Sequence, residues 1–248
     1  MKKQYDDIAK EYAGIRNITQ RFVIGPTLFK MSGQVRGKSL LDLGCGEGYY
    51  TRLFAHKNPS KIVGMDISKR MIALAKRNKD ATTAKIEYVV GDIANIRLRD
   101  QFDIVTAVYA LNYAETEEVL SRMCEHAFDH LKKAGRFCII TLTPKLKPRK
   151  MFIRMNRFLH PNNKEQFSNG DRVMCEVRNP DSGKVSAFTC YYWDEKTYSN
   201  ALKGAGFDSV EWIYDMSISK EGAKRFGKSF WNKWRQTKVA VGISAMKK

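Results

Sequence analysis

Short apolar runs alternate with amphipathic stretches along residues 39–144. The apolar runs have the length of buried strands, and the stretches between them space their apolar residues as one face of a helix. The predicted strands are 39–43, 61–67, 85–92, a run that begins at residue 102, and 136–144, and the predicted helices are 49–57, 68–80 and 115–135. This alternation predicts βαβ units around a mostly parallel sheet, with ligands bound at the carboxyl edge of its strands.

Capping residues set two of these helix boundaries. Ser68 can accept hydrogen bonds from the first free N–H groups of helix 68–80. The helix over 115–135 begins with acids and ends with lysines, as the helix dipole favours, and Gly135 is its predicted C-terminal stop.

The N-terminal segment is predicted to be helical. Tyr5 and Tyr12 share one face of a helix over 3–13. A second helical stretch covers 18–32 and is interrupted near Pro26, because proline has no N–H to donate within a helix. We expect residues 1–32 to form a helical lid on a single domain that spans 1–248.

The regular alternation stops at Thr143 and resumes with a helix over 194–206. Two further strands are predicted over 207–216 and 238–246. Residues 144–193 therefore form an inserted cap over the carboxyl edge of the sheet. Two β runs around the turn "NPDSG" predict a β-hairpin within this cap.

Composition is that of a folded soluble protein, with 43% hydrophobic residues available for a core. No apolar run approaches the length of about 18 residues that a membrane span needs, and no signal-peptide apolar region follows the N-terminal lysines. The five cysteines are scattered and form no C-x-x-C pair, so we interpret them as reduced thiols and expect a cytoplasmic protein.

The net charge of +18 leaves two interpretations open. A basic surface is typical of proteins with nucleic acid or other anionic partners, but solvated basic faces also occur without such partners. The charge is concentrated in a run over 145–164 that contains no acid and in a run over 220–238 whose one acid is Glu221.

The stretch "LLDLGCGEGYYTR", residues 40–52, places a glycine loop between a strand and a helix. Gly44, Gly46 and Gly48 miss the dinucleotide spacing G-x-G-x-x-G, and the chain contains no phosphate-binding G-x-x-x-x-G-K-[ST] loop. Asp42 precedes the loop, where a carboxylate would repel a pyrophosphate and suit a cationic amino group. A role limited to capping backbone amides stays open for Asp42.

Two more acids follow the next two strands. Asp66 is placed to accept hydrogen bonds from both hydroxyls of a ribose. Asp92 is placed to accept from an adenine amine beside the backbone N–H of Ile93, or to cap the following turn. An adenine nucleoside with an amino-acid tail and no phosphate is the implied ligand, which is S-adenosylmethionine.

The ordered stretches "LLDLGCGEGYYTR", "IVGMDIS", "YVVGDIA", "FDIVTAVYALNY" and "LKKAGRF" resemble the successive motifs of class I S-adenosylmethionine-dependent methyltransferases. The resemblance covers about 38–142, and the closing strands agree with it. It implies an α/β fold: a Rossmann-like three-layer sandwich around a mostly parallel seven-stranded sheet of order 3-2-1-4-5-7-6, with the seventh strand antiparallel and an inserted substrate lid.

A narrower set of stretches is similar to the toxoflavin synthase group of small-molecule methyltransferases. These are "YDDIAKEY", "CGEGYYTR", "AVYALNYA" and "EGAKRFGKSFW". This resemblance implies methylation of a ring nitrogen in a small heterocycle. The basic linker 145–164 has no counterpart in that pattern, so the substrate stays open.

The predicted cofactor-binding residues lie in the motifs just quoted. They are Asp42, Gly44, Cys45, Gly46, Tyr49, Asp66, Ile67, Met71, Asp92, Ile93 and Ala107. Ile67 and Ile93 either enclose the adenine or fill the core, and Cys45 is interpreted as a small residue rather than a catalytic thiol. S-adenosylhomocysteine is the expected product.

Catalytic candidates follow the fourth strand, at Tyr109, Asn112 and Tyr113. Methyl transfer needs alignment above all, and a general base only where the acceptor must lose a proton. Tyr109 is predicted to face the methyl group, with core packing as the alternative. No N/D-P-P-Y or Pro-Cys sequence stands there, which argues against amino methylation of DNA bases or glutamine and against pyrimidine C5 methylation.

Aromatic residues in the two lid segments are the predicted substrate contacts. They are Tyr5, Tyr12, Tyr191, Tyr192 and Trp193, and for the last three the apolar underside of a hairpin is an equal alternative. His126 and His130 have the spacing of a shared metal site but no third ligand, so we interpret them as surface histidines and expect no metal.

The function that the sequence supports is methyl transfer to a nitrogen or oxygen of a small aromatic or heterocyclic molecule. An RNA methyltransferase that uses the basic runs as a phosphate track is the alternative. A non-enzymatic cofactor-binding scaffold and a protein methyltransferase are further interpretations. Neither the acceptor atom nor the oligomeric state follows from the sequence.

Overall fold

The computed structural model describes residues 6, 18–78, 85–152, 156–159, 161–178, 183, 185–237 and 239–248. The predicted helix over 3–13 lies outside these residues except at Asp6, which is helical. The stretch 18–32 is helical. The interruption expected near Pro26 takes the form of a π-helical turn, Gln20–Ile24, that leads directly into helix α1, Gly25–Ser32.

Among the described residues, seven strands form the large sheet. They are β1 (Ser39–Leu43), β2 (Lys61–Asp66), β3 (Ile86–Val90), β4 (Phe102–Val108), β5 (Leu131–Leu142), β10 (Ser209–Ile213) and β11 (Ala240–Met246). Their order is β3-β2-β1-β4-β5-β11-β10, and β11 is antiparallel to both neighbours. Counted within this sheet alone, β10 and β11 are the sixth and seventh strands, so the predicted order 3-2-1-4-5-7-6 is confirmed.

Helices cover both faces of this sheet. Besides α1 they are α2 (Tyr49–Ala55), α3 (Lys69–Arg77), α4 (Glu117–Asp129), α5 (Glu195–Gly204) and α6 (Lys220–Thr237). Neighbouring strand residues serve opposite faces: Leu41 packs in the layer that contains α4 and α5, and Leu40 packs in the layer that contains α1 and α6. The strands are apolar on both sides because both faces are buried.

The boundary between α4 and β5 differs from the prediction. Helix α4 ends at Asp129, and Leu131 already pairs with Phe102 in the sheet. Gly135 therefore lies inside β5 and does not stop the helix. The lysine-rich start of β5 contains an irregularity in register, with Ala134 at a φ of +58°, and it has the composition of a helix end although it runs as a strand.

The inserted segment forms a second sheet with the order β6-β7-β8-β9. Its strands are β6 (Arg149–Phe152), β7 (Asn156–Leu159), β8 (Arg172–Arg178) and β9 (Val185–Tyr191). The pair β8 and β9 is antiparallel, where the sequence predicts two β runs around a turn. Strands β6 and β7 lie in the basic stretch, where the sequence shows no clear period.

His130 corrects the interpretation of the histidine pair as surface residues. It is 7% exposed, its Nδ1 lies 2.7 Å from the carbonyl oxygen of His126, and its Nε2 accepts from the N–H of Leu98 at 3.1 Å. The Nδ1 contact thus stays within the end of α4, and the Nε2 contact joins α4 to the segment before β4. In the described part of the chain, no three His, Cys, Asp or Glu residues gather as a metal site would require, and no helix is long and apolar enough to cross a membrane.

Candidate functional site

A cavity opens at the carboxyl edge of β1, β2, β3 and β4, where the topology predicts a ligand site. Twelve predicted residues line it: Asp42, Gly44, Cys45, Gly46, Tyr49, Asp66, Ile67, Met71, Asp92, Ile93, Tyr109 and Tyr113. The ends of these four strands and the loops after them thus bring together side chains that are up to 71 positions apart in the sequence, between Asp42 and Tyr113.

The glycine loop forms one wall of this cavity. Gly44 has a φ of +69°, and a Cβ atom there would lie 2.7 Å from the Cβ of Ala110, so the loop after β1 touches the loop after β4. Gly46 has a φ of +56°, and a Cβ atom there would meet nothing within 4 Å. The backbone at Gly46 is therefore open to close approach by a ligand.

Asp66 ends β2 and joins the two loops beside it. Its Oδ2 accepts from the N–H of Gly46 at 2.8 Å, and its Oδ1 accepts from the N–H of Ser68 at 2.9 Å. Ser68 in turn caps α3, since its hydroxyl accepts from the N–H of Met71 at 3.1 Å. Burial raises the pKa of Asp66, and the two backbone donors partly offset that rise.

Asp42 is held by two hydroxyl groups rather than by backbone amides. Thr51 donates to its Oδ2 at 2.6 Å and Thr106 donates to its Oδ1 at 2.8 Å, so the carboxyl group joins β1 to α2 and β4. Only 2% of Asp42 is exposed, and burial raises its pKa to about 6. A cation bound beside this carboxyl group would favour its ionised form.

The end of β3 contributes Asp92 and Ile93. Asp92 caps the short 3₁₀ turn Ile93–Asn95 by accepting from the N–H of Ala94 at 2.9 Å through its Oδ1. It also lines the cavity, so the two roles that the sequence leaves open for it are compatible. Ile67 and Ile93 both line the cavity, which favours contact with a flat apolar ligand group.

The end of β4 contributes two tyrosines. Tyr109 has a φ of +51°, which is rare for a residue with a bulky side chain, and its N–H donates to Ile140 O at 2.7 Å. Such strain is concentrated at functional sites. Tyr109 and Tyr113 line the cavity, whereas the predicted Asn112 is 2% exposed and is not part of the cavity wall.

The remaining predicted residues lie elsewhere. Ala107 is fully buried within β4, where it pairs with Leu43. Trp193 donates from Nε1 to Ala114 O at 3.1 Å and packs into the main core, while Tyr192 donates to the carbonyl oxygen of Pro144. Neither of these two nor Tyr191 lines the cavity, and the predicted contacts Tyr5 and Tyr12 lie outside the described residues.

Seven residues of the cavity wall were missed by the sequence analysis: Gln20, Glu47, Tyr50, Gly91, Val108, Ala110 and Met123. Five of them are next in the sequence to a predicted residue, and that position was the one signal available for them: Glu47, Tyr50, Gly91, Val108 and Ala110. Gln20 and Met123 come from the N-terminal π-helical turn and from α4, and no motif marks either residue.

The sheet order, the glycine loop and the carboxylates that end β1 and β2 define the fold of a class I methyltransferase. Residues 40–135 match the family model described as a methyltransferase domain. A demethylmenaquinone methyltransferase from Lactococcus lactis is 30% identical over 230 residues, which are 86% of this chain and 81% of the relative. The chain belongs to the class I S-adenosylmethionine-dependent methyltransferases, and its methyl donor is S-adenosylmethionine.

Two further similarities agree with this family. A ubiquinone biosynthesis O-methyltransferase from Coxiella burnetii is 28% identical over 130 residues, which are 50% of this chain and 53% of that relative. The crystal structure of an S-adenosylmethionine-dependent methyltransferase from Mesorhizobium loti has a TM-score of 0.64 at 20% identity, and the match covers 93% of this chain and 98% of that chain. The structural likeness at this identity reports on the fold.

Proposed function

We propose that the protein transfers a methyl group to a nitrogen or oxygen of a small aromatic or heterocyclic molecule. The observation that carries this proposal is the aromatic wall of the cavity, which contains Tyr49, Tyr50, Tyr109 and Tyr113. The rings of Tyr49 and Tyr50 lie edge to face with centroids 5.0 Å apart. Aromatic walls of this kind suit flat acceptors and exclude water.

The carboxylates and apolar side chains that line the cavity fit S-adenosylmethionine. Asp66 is proposed to accept from the ribose hydroxyls, and Asp42 to offset the charge of the amino group of the amino-acid tail. Asp92, Ile67 and Ile93 are proposed to hold the adenine. The open backbone at Gly46 leaves room for the tail, because no atom lies within 4 Å of the position that a Cβ would take.

The bound cofactor supplies a methyl group already activated by its sulfonium centre. The residues of this chain then need mainly to align the acceptor with that group, which can account for about 7–11 kcal/mol of a reaction barrier. Tyr109 is proposed to orient the acceptor through its hydroxyl group or to contact the sulfonium with its ring. Tyr113 lies on the same wall and is proposed to complete the acceptor site.

Relatives support a flat ring as the acceptor. The names of the proteins from Lactococcus lactis and Coxiella burnetii refer to demethylmenaquinone and to ubiquinone biosynthesis. The narrower resemblance to toxoflavin synthase stays a prediction and points to a ring nitrogen instead. Residues 1–32 and 144–193 are proposed as the lid and the cap that enclose the acceptor.

RNA methylation is the second candidate, and the exposed cations of α6 favour it. Lys224 and Arg225 are exposed before a kink in α6 at Gly227, Lys228 is exposed directly after it, and Glu221 is the one acid of α6. A polyphosphate backbone would be attracted to such a face.

A methyl-transfer assay with radiolabelled S-adenosylmethionine tests both candidates. Purified protein is incubated separately with quinols, phenols, nitrogen heterocycles, aliphatic amines and bulk RNA. Label in an aromatic or heterocyclic product that requires Tyr109 would support the proposal. Label confined to RNA, with a yield that falls steeply as salt is added, would replace it with the second candidate.

A further inference from the structure

A buried ion pair braces the glycine loop. Arg52, on α2, donates from Nη1 to the carbonyl oxygen of Glu47 at 2.6 Å and from Nη2 to Glu47 Oε2 at 2.8 Å. One guanidinium group thus contacts both the backbone and the side chain of the same loop residue. The side chains of Arg52 and Glu47 are only 8% and 7% exposed.

Two other elements complete this brace. Asn78, which follows α3, donates from Nδ2 to the same Glu47 Oε2 at 2.7 Å. Tyr88 on β3 packs against the loop so closely that a Cβ at Gly48 would lie 2.3 Å from its hydroxyl oxygen. Of these residues only Glu47 lines the cavity, so Arg52, Asn78 and Tyr88 contact the loop from outside the cavity wall.

The buried ion pair between Arg52 and Glu47 differs in energy from an ordinary surface pair. Removing one partner of a buried pair leaves an uncompensated charge, whereas an exposed pair contributes little. The loop also holds three glycines at positive φ, namely Gly44, Gly46 and Gly48, so its backbone has little intrinsic preference for this shape. Contacts from outside the loop therefore add to its internal backbone bond, from the N–H of Gly48 to the carbonyl oxygen of Cys45 at 2.9 Å, in holding this shape.

We infer that Arg52 is a positioning residue for cofactor binding. By holding the carbonyl oxygen and the carboxylate of Glu47, it restrains the loop next to Gly46, whose N–H donates to Asp66 at 2.8 Å. The loop is then already in the shape that receives the amino-acid tail before the cofactor arrives. Preorganisation of this kind lowers the entropy lost on binding. The inference rests on the proposed placement of the cofactor in this cavity.

The test compares Arg52→Met and Arg52→Lys with the wild-type chain. Arg52→Met removes both donors and keeps the aliphatic stem, and Arg52→Lys keeps the charge but lacks the planar fork that spans both acceptors. Binding of S-adenosylhomocysteine and of S-adenosylmethionine is measured by titration calorimetry. Thermal unfolding without ligand, and kcat at saturating cofactor, are measured for the same proteins.

Both variants are expected to bind either ligand at least about tenfold more weakly, because binding must then order a loop that has lost a charge-assisted hydrogen bond to Glu47, and such a bond corresponds to about that factor. The kcat at saturating cofactor is expected to stay within about threefold, because the ligand restores the loop when it is bound. Hydrogen exchange at the Gly46 amide is expected to accelerate in the ligand-free variants. A purely structural role would lower the unfolding temperature without these two signatures.

Lys61→Met is the matched control, because Lys61 pairs with Asp100 at 2.6 Å in an exposed pair on β2. It should leave the affinity unchanged. If Arg52→Met does not fold, Asn78→Ala removes a single donor at an exposed position and should weaken binding about threefold. A folded Arg52 variant that binds both ligands within twofold of the wild type would overturn the inference. Failure of the wild type to bind S-adenosylmethionine would instead overturn the placement of the cofactor.

Discussion

The backbone N–H of Gly46 donates to the carboxylate of Asp66 at 2.8 Å, although the two residues are 20 positions apart. Asp66 therefore joins the loop after β1 to the loop after β2, and both loops line the cavity. Its second oxygen accepts from Ser68, so the carboxylate is oriented before any ligand binds. A ribose in this cavity would meet an acceptor whose direction is already fixed.

Replacement of Asp66 by alanine should abolish useful cofactor affinity. Each hydrogen bond to a charged group contributes about 1.5–3 kcal/mol, so loss of the acceptor should weaken S-adenosylmethionine roughly ten- to hundredfold per lost bond. Calorimetric titration measures this change. Asp100→Ala, which removes an exposed carboxylate paired with Lys61, is the control and should bind normally.

Asp42 should make the stability of the protein depend on pH. Burial raises its pKa from an ordinary 3.8 to about 6, so the folded state holds the proton more tightly than the unfolded state. The contribution of Asp42 to the free energy of unfolding is therefore fully present below the unfolded-state pKa of 3.8. It falls by about 3 kcal/mol as the pH rises through the folded-state pKa of about 6. Urea unfolding measures the free energy of unfolding of the wild type and of Asp42→Asn. The difference between the two proteins should change by roughly 1.4 kcal/mol from about pH 5 to about pH 8.

The same carboxyl group should couple proton release to cofactor binding. A cationic amino group beside Asp42 lowers the pKa of that residue, so the affinity for S-adenosylmethionine should rise as the pH increases through 6. This rise should be absent in Asp42→Asn. An equal pH dependence in both proteins would show that Asp42 does not sense the ligand.

Gly46→Ala should weaken cofactor binding more than it weakens the fold. The residue has a φ of +56° and open space at its Cβ position, so the added methyl group would occupy ligand space. Gly37→Ala is the matched control, because Gly37 also has a positive φ and open space but lies before β1, away from the cavity. Both variants should lose about 1–2 kcal/mol of stability from strain, and only Gly46→Ala should lose affinity.

Tyr109→Phe should lower catalysis without lowering cofactor affinity if the hydroxyl group orients the acceptor. We expect kcat/KM for the acceptor to fall roughly ten- to hundredfold, as misalignment of a reacting pair does. The Kd for S-adenosylhomocysteine should stay within twofold. Unchanged kinetics in Tyr109→Phe, combined with a loss in Tyr109→Leu, would assign the role to the ring instead.

The cysteines should be unreactive in the folded protein. Burial raises the pKa of Cys124 and of Cys45, and it raises that of Cys138 to about 12, so these thiols stay protonated at mildly alkaline pH. A thiol-specific dye should label all five cysteines after unfolding and few of them before it. Rapid labelling of Cys45 that the cofactor blocks would show that the cavity admits the dye.

Local signals were sufficient for the sheet and for most of the cavity wall. Asp42 and Asp66 each lie at the carboxyl end of an apolar strand, so the parallel topology alone places them on one edge. The prediction that Gly135 ends helix α4 was wrong. A lysine-rich stretch followed by glycine has the composition of a helix end, but Leu131 already pairs with Phe102 in the sheet. Pairing across the sheet decided this boundary, and no short window of sequence contains it.

Long-range packing accounts for the features of the site that the sequence did not predict. Gln20 reaches the cavity because Phe22, in the same π-helical turn, packs against Phe226 of α6 with ring centroids 5.6 Å apart, a contact between segments about 200 positions apart. The contact of Asn78 with Glu47 is likewise hidden in the sequence, because Asn78 follows a different helix. Neither contact is marked in the sequence by a periodic pattern or a motif.

The inserted sheet returns to the main domain at the point where it left. Tyr192 bonds to Pro144 at the start of the insertion, and Trp193 bonds to Ala114 just beyond β4. Among the described residues, those that line the cavity all lie outside 144–193. A change in the length or sequence of the insertion would therefore leave the described cavity wall intact, so that the proposed acceptor cap and the cofactor site could evolve separately.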